Sequence, residues 1–268
     1  MARRQAPDRA AAGGGARRPW WLITIGLAAA LLIALATLPA SLFAGRLAGA
    51  GLGAASFSGS IWSGQARSLA WRSGVLGDLT WSFAPLDLLR GRLGLKLALV
   101  RTDGSVATHA SISPGGRISL ADTQVDLPLA ALAALPVGLP ANWQGRVRGT
   151  FEEVVLENGA PTALRGKLDL DDLVAPPPRN LPIGSYVVQA PDPTAAVGPP
   201  GEISLGIKDK GGPFAFDGRL TISGGRSYLL EGLVATRGNV PEQVSRALQM
   251  LGPADASGRR QLSLSGTF

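Results

Sequence analysis

The stretch "GRLGLKLALV", Gly91 to Val100, sets leucine at every second position: Leu93, Leu95, Leu97 and Leu99 alternate with Gly94, Lys96 and Ala98. A period of two puts one apolar and one wet face on the segment, as in a strand of an antiparallel sheet. The pattern recurs along the chain. Leu79, Trp81 and Phe83 alternate with Thr80 and Ser82, and Ile203, Leu205 and Ile207 alternate with Glu202, Ser204, Gly206 and Lys208. Val106, Thr108, Ala110 and Ile112 repeat it more weakly, and Leu262 and Leu264 carry it to the end of the chain. The strands also open alike. "GRLGLKL" at Gly91, "GRISL" at Gly116, "GRVRG" at Gly145, "GKLDL" at Gly166, "GRLTI" at Gly218 and "GRRQLSL" at Gly258 each read glycine, cation, then alternating apolar residues. In this reading the glycine supplies a turn and the cation marks the solvent side of the first pleat. The spacing is irregular, so a meander of similar hairpins is expected rather than a strict repeat array.

Composition agrees. Of 268 residues 36 are glycine and 20 proline, and only 17% are charged, which disfavours a helix bundle and favours short strands joined by turns. Helix is expected over "NVPEQVSRALQMLGP", Asn239 to Pro253, where Pro241 and Glu242 suit the first turn and Gly252-Pro253 the stop. Its stripe of Val244, Leu248 and Leu251 would pack on the sheet. Short helical turns are expected at Pro85 to Arg90 and Leu127 to Leu135. The Pro-rich segment over residues 174–201 reads as a long exposed connection.

The N-terminus differs from the rest. No charge falls between Pro19 and Gly45, while Arg17, Arg18 and Arg46 bracket the run. About 25 helical residues rise roughly 37 Å, enough for a hydrocarbon core of roughly 30 Å. Trp20 and Trp21 sit at the interface level, and Leu31 and Leu32 lie in the middle of the span. Arg3, Arg4, Arg9, Arg17 and Arg18 against Asp8 leave +4 of the total +7 before the span. That asymmetry keeps residues 1–18 cytoplasmic, makes 19–45 a membrane anchor and sends 46–268 across. A cleaved signal peptide is the competing reading. Its apolar region would be shorter, and the nearest small-residue site, Ala48-Gly49-Ala50, lies beyond Arg46.

No catalytic residues are expected. The chain has no cysteine, which excludes disulfides, thiolate nucleophiles and cysteine zinc sites. The one histidine, His109, lies opposite Val106 and Ile112 and suits a surface or inter-strand role. Glu152-Glu153 and Asp171-Asp172 are adjacent, so within a strand each pair points to opposite faces. Asp169 and Asp171 share a face, where a solvating role is expected. "GAPTALRGK", Gly159 to Lys167, lacks the glycine spacing and the hydroxyl of a phosphate loop. No metal or cofactor is expected, and no basic stripe interleaved with aromatics points to nucleic acid. "FSGSIWSG", Phe57 to Gly64, runs on into Leu69 and Trp71, and its glycines read as a bend leading the chain into the sheet, with Trp62 buried.

The order of these segments resembles a known family. The basic tail and single anchor are followed by "SGSIWSGQARSL", with Gly59, Trp62 and Gly64, and by "LGDLTWSFAPLDLLRGRLGLKL", with Trp81. "GRLTISGGRSYLLEGLVATRG" and "QMLGPADASGRRQLSLSGTF" complete the set. Together they resemble protein N of the bacterial type II secretion system, over nearly the whole chain from the anchor onward. The resemblance implies a non-enzymatic, single-pass inner-membrane component with a periplasmic β domain. It implies partners among the other secretion components: the inner-membrane platform and, as a further candidate, the secretin. The fold expected is mainly β, a transmembrane helix followed by a curved antiparallel meander with one or two short helices. The sheet is also similar to those of AsmA-like lipid-handling proteins. That likeness implies a half-open apolar groove with Leu93, Leu95, Leu97 and Leu99 inside, and makes a lipid-binding or lipid-transfer module the alternative reading. An outer-membrane barrel, suggested by the terminal strand ending in Phe268, conflicts with the long anchor, because a Leu/Ala-rich span is retained in the inner membrane.

Overall fold

The computed structural model describes residues 26–27, 37–43, 48–49, 51–71, 74–132, 142–178, 180–192, 201–224, 227–238, 245 and 248–267. The chain forms two compact units, Met1–Leu38 and Pro39–Phe268. In the first unit Gly26 and Leu27 are helical. The anchor residues Trp20, Trp21, Leu31 and Leu32 lie outside the described residues. Among the described residues no helix is long and apolar enough to cross a membrane.

In the second unit the described residues form a single antiparallel sheet of 14 strands. After a 3-10 turn at Ala40–Phe43 come β1 (Leu52–Gly53), β2 (Ser56–Gly59), β3 (Ser63–Trp71), β4 (Gly74–Ala84), β5 (Leu93–Val100) and β6 (Ser105–Ile112). They are followed by β7 (Ile118–Pro128), β8 (Gln144–Glu157), β9 (Ala160–Val174), β10 (Pro182–Ala190), β11 (Glu202–Gly211), β12 (Phe214–Ser223), β13 (Ser227–Thr236) and β14 (Arg260–Thr267). From β3 to β14 every strand pairs with its sequence neighbours, while β1 and β2 both pair with β3. Two short helices interrupt the meander, α1 at Pro85–Leu88 and α2 at Leu129–Leu132, both within the segments expected to turn. Of the helix expected near the C-terminus, Ser245, Leu248 and Gln249 are helical. Val244, needed for its apolar stripe, lies outside the described residues.

Register makes the apolar faces of β4 to β14 one surface. Leu79 pairs with Leu99, Leu99 with Val106, Val106 with Val125, Val125 with Gly149 and Gly149 with Leu168. The row continues through Val188, Ile207, Gly218, Gly232 and Leu262. Directly paired residues share a face, so this row crosses the eleven strands from β4 to β14 without leaving the apolar side. Ala190, Ile203 and Leu205 form a buried core cluster, with Leu164, Val188, Leu220 and Ile222 packed around them. Among the described residues no large side chain is fully enclosed.

The glycines correct one expectation. Gly91, Gly116 and Gly258 do sit at turns, but Gly145, Gly166 and Gly218 lie inside β8, β9 and β12. At two of them a ring occupies the space of the missing side chain. A Cβ at Gly218 would meet Phe216 Cζ at 2.6 Å, and one at its partner Gly232 would meet the same atom at 2.8 Å. Phe151 lies likewise against Gly149 and Gly166, Trp81 against Gly64, and Tyr228 against Gly266. Glycine on a pleat lets an aromatic ring lie down along the sheet and recover the contacts the glycine forgoes. The glycine-cation motif therefore keeps the predicted phase, but it marks a turn at three of its six glycines and a ring seat at two.

The Pro-rich segment is also corrected. Its middle, Pro182–Ala190, is a full strand, β10, hydrogen-bonded to β9 on one side and β11 on the other. "IGSYVVQA" has β-branched and aromatic residues enough for a strand, and the flanking prolines obscured it. The turn between β8 and β9 is Asn158-Gly159, with φ of 53° and 79°, as a two-residue hairpin requires. The rejected phosphate loop is thus a hairpin arm.

Candidate functional site

The "FSGSIWSG" stretch is a hairpin rather than one bent strand. β2 and β3 pair from Ser56 against Arg67 to Gly59 against Gly64, and Ser60 to Trp62 form the tip. Gly59 has φ of 88° at the turn, and the Ser63 backbone amide donates to Ser60 Oγ at 3.1 Å. Trp62 is half-buried rather than buried, because it stands at a tip with one side open. Its ring meets Phe83 edge-on at 4.9 Å, and its carbonyl accepts the Phe83 amide at 2.6 Å. The Trp81 indole donates to the carbonyls of Ser60 at 3.2 Å and Ile61 at 3.1 Å. Gly59, Trp62, Gly64 and Trp81, the motif residues, are therefore brought together. Gly64 gives Trp81 room, and Trp81 holds the tip down.

That fold-over closes one side of an apolar concavity of about 280 Å³. Trp62, Trp81 and Phe83 line it together with Leu93, Leu95, Leu97, Ala40 and Phe57. Leu99 lines a second, neighbouring apolar concavity of about 240 Å³ together with Leu97, Val106 and Ala131 of α2. The four leucines picked out by alternation thus lie on one face and line two adjoining hollows. Sequence reasoning missed Leu52, Phe57 and Ile61, which belong to a hairpin that had not been recognised.

The opposite face is polar. Lys210 Nζ bridges Asp169 and Asp171, each at 2.9 Å. Asp169 also meets Lys167 at 3.3 Å, and Asp171 meets Arg148 at 3.2 Å. Arg146 donates to Asp126 at 2.6 Å. Hydrogen bonding from Lys210 holds the Asp169 carboxyl below the usual carboxylate range, with Lys167 adding to it, and the same two aspartates raise Lys210. Arg146 lowers Asp126 in the same way. Asp169 and Asp171 share a face as expected, but they lie on an interior strand and are cross-linked rather than merely solvating. Glu152 and Glu153 depart from strict alternation. A bulge falls between Phe151 and Glu153, and both glutamates are exposed.

His109 joins strand β6 to helix α1, a contact the sequence did not show. Its Nε2 lies 2.6 Å from Oδ2 of Asp87, a buried residue of α1. Asp87 packs against Gly94, where any Cβ would collide with its carboxylate. Among the described residues no group of three or more histidine, cysteine, aspartate or glutamate side chains could hold a metal ion. What the described site offers is surface: an apolar hollow under a tryptophan-pinned hairpin, and a charge-paired back.

The family model described as type II secretion system (T2SS), protein N matches residues 50–263, from just before β1 into β14. The type II secretion system protein N of Pectobacterium carotovorum subsp. carotovorum is 22% identical over 220 residues, 81% of this chain and 84% of that protein. No solved structure matches.

Proposed function

The chain belongs to the type II secretion system protein N family, and from that premise we propose that it is a non-enzymatic inner-membrane component assisting export of folded proteins from the periplasm through the outer-membrane secretin. The observation that carries this is the match over 50–263, which takes in nearly the whole sheet. In this reading residues 1–18 stay in the cytoplasm, 19–45 anchor the chain, and 46–268 stand in the periplasm. The arginine asymmetry around the uncharged run supports that topology. The sheet then works as a docking body for the other secretion components, and anchoring raises its effective concentration at the inner-membrane platform.

A second reading has its own support. The hollow lined by Trp62, Trp81, Phe83, Leu93, Leu95 and Leu97 is almost wholly apolar, and an acyl chain suits such a lining. Leu93, Leu95, Leu97 and Leu99 would then form the inner wall of a lipid groove, in an AsmA-like lipid-binding or lipid-transfer module. Crosslinking in cells, purification of the chain and extraction of lipid from the same sample separates the two. Secretion components recovered without stoichiometric phospholipid support the first reading. Phospholipid at one per chain with no secretion component would replace it with the second.

A further inference from the structure

Helix α1 is turned the wrong way for a helix of a water-facing protein. In "PLDLLRGRL", Pro85 to Leu93, the acidic residue points inward: Asp87 is 7% exposed, under Gly94 and His109. The leucines point outward, Leu86 at 72%, Leu88 at 54% and Leu89 at 85% exposed. Arg90 and Arg92, both exposed, flank them. A single exposed leucine needs no explanation, whereas three within four residues rimmed by cations make a patch.

Its place in the fold says what covers it. The chain enters the sheet unit at Pro39, which bridges to Ser60 at the hairpin tip. Two residues beyond Ser60, the Trp62 carbonyl accepts the Phe83 amide, and α1 begins two residues after Phe83. Pro39 and α1 are thus linked through two inter-strand pairings, each spanning roughly 5 Å, and both lie at one end of the sheet. The uncharged run from Pro19 to Gly45 spans this entry point.

We propose that α1 is a membrane-docking element: Leu86, Leu88 and Leu89 enter the acyl boundary of the membrane in which the chain is anchored, and Arg90 and Arg92 bind its lipid phosphates. The proposal rests on the anchor reading above. Leucines beside arginines are the composition of segments that lie in an interface, and anionic headgroups attract cations placed close to the surface. The ion pair of Asp87 with Arg90, 3.7 Å apart, and its contact with His109 keep the one acidic group of the helix turned from the lipid.

The chain has no cysteine, so single labels are clean. Leu89→Cys, Leu31→Cys and Thr102→Cys would each carry a nitroxide in the full chain, reconstituted in nanodiscs of phosphatidylethanolamine and phosphatidylglycerol. Accessibility to dissolved oxygen and to a water-soluble nickel chelate is then read at each. Thr102 is exposed in the turn between β5 and β6, at the other end of the sheet, and is the aqueous reference. The expected result is several-fold greater oxygen-to-nickel accessibility at 89 than at 102, shifting toward water in Arg90→Gln/Arg92→Gln. Equal nickel accessibility at 89 and 102 overturns the docking element, including when the surface is reserved for a protein partner. The label at 31 reports the anchor separately: aqueous there and lipid-shielded at 89, the anchor reading fails and the docking element stands. An unchanged value in the double variant removes the arginines from the proposal.

Discussion

At the scale of single residues, the apolar face depends on absent side chains. Phe216 lies over both Gly218 and Gly232, and a Cβ at Gly218 would also press on the Glu231 carbonyl of the next strand. A backbone atom cannot rotate away, so Gly218→Ala should cost about 1–3 kcal/mol of stability, the usual range for overpacking; an unchanged urea midpoint would show that the ring is not seated there. The polar face makes a pH prediction. Asp169 is lowered by Lys210, so its contribution is present above the ordinary carboxylate value and lost as pH falls through the lowered one. Lys210 is raised by Asp169 and Asp171, so its contribution is present below the ordinary lysine value and lost as pH rises through the raised one. The bridge therefore acts across the neutral range. Lys210→Met should reduce stability at neutral pH and soften its decline on acidification below about pH 4. Parallel pH–stability curves for the two proteins would contradict this.

At the scale of elements, β10 is the sharpest case, because a connection and an interior strand respond differently to proline. Val187 pairs with Asp169 on β9 and with Lys208 on β11. Val187→Pro removes a ladder hydrogen bond and should unfold or strongly destabilise the domain; an unaltered thermal transition would return the segment to a connection. The reason β10 was illegible is local. Prolines on both sides dominate the composition, while the strand between them pairs only with residues whose register is fixed elsewhere. The long alternations at Leu79–Phe83, Leu93–Leu99 and Ile203–Ile207 were readable because a half-buried strand must show period two. They put Leu93, Leu95, Leu97 and Leu99 on one face, as does the register of β5 with β4 and β6. The hairpin at Ser56–Trp71 was hidden, since its tip residues Ile61 and Trp62 look like strand residues. The sequence did hold a usable turn signal in Asn158-Gly159. Asp87 gave none, because its burial arises from α1 folding onto β5 and β6, which no periodicity encodes.

At the scale of the whole domain, fourteen strands in near-sequential order form a sheet whose apolar side is only partly covered by what the structure describes. Such a surface suits a protein that works by contact, and family membership identifies the setting as type II secretion. The central claim is that this contact serves export, and the most direct measurement is where a folded type II substrate accumulates when the chain is deleted. The account predicts substrate folded but retained in the periplasm, normal membrane lipid composition, and release to the medium restored by the full chain. Unimpaired secretion in the deletion strain, accompanied by altered outer-membrane lipids, would contradict it.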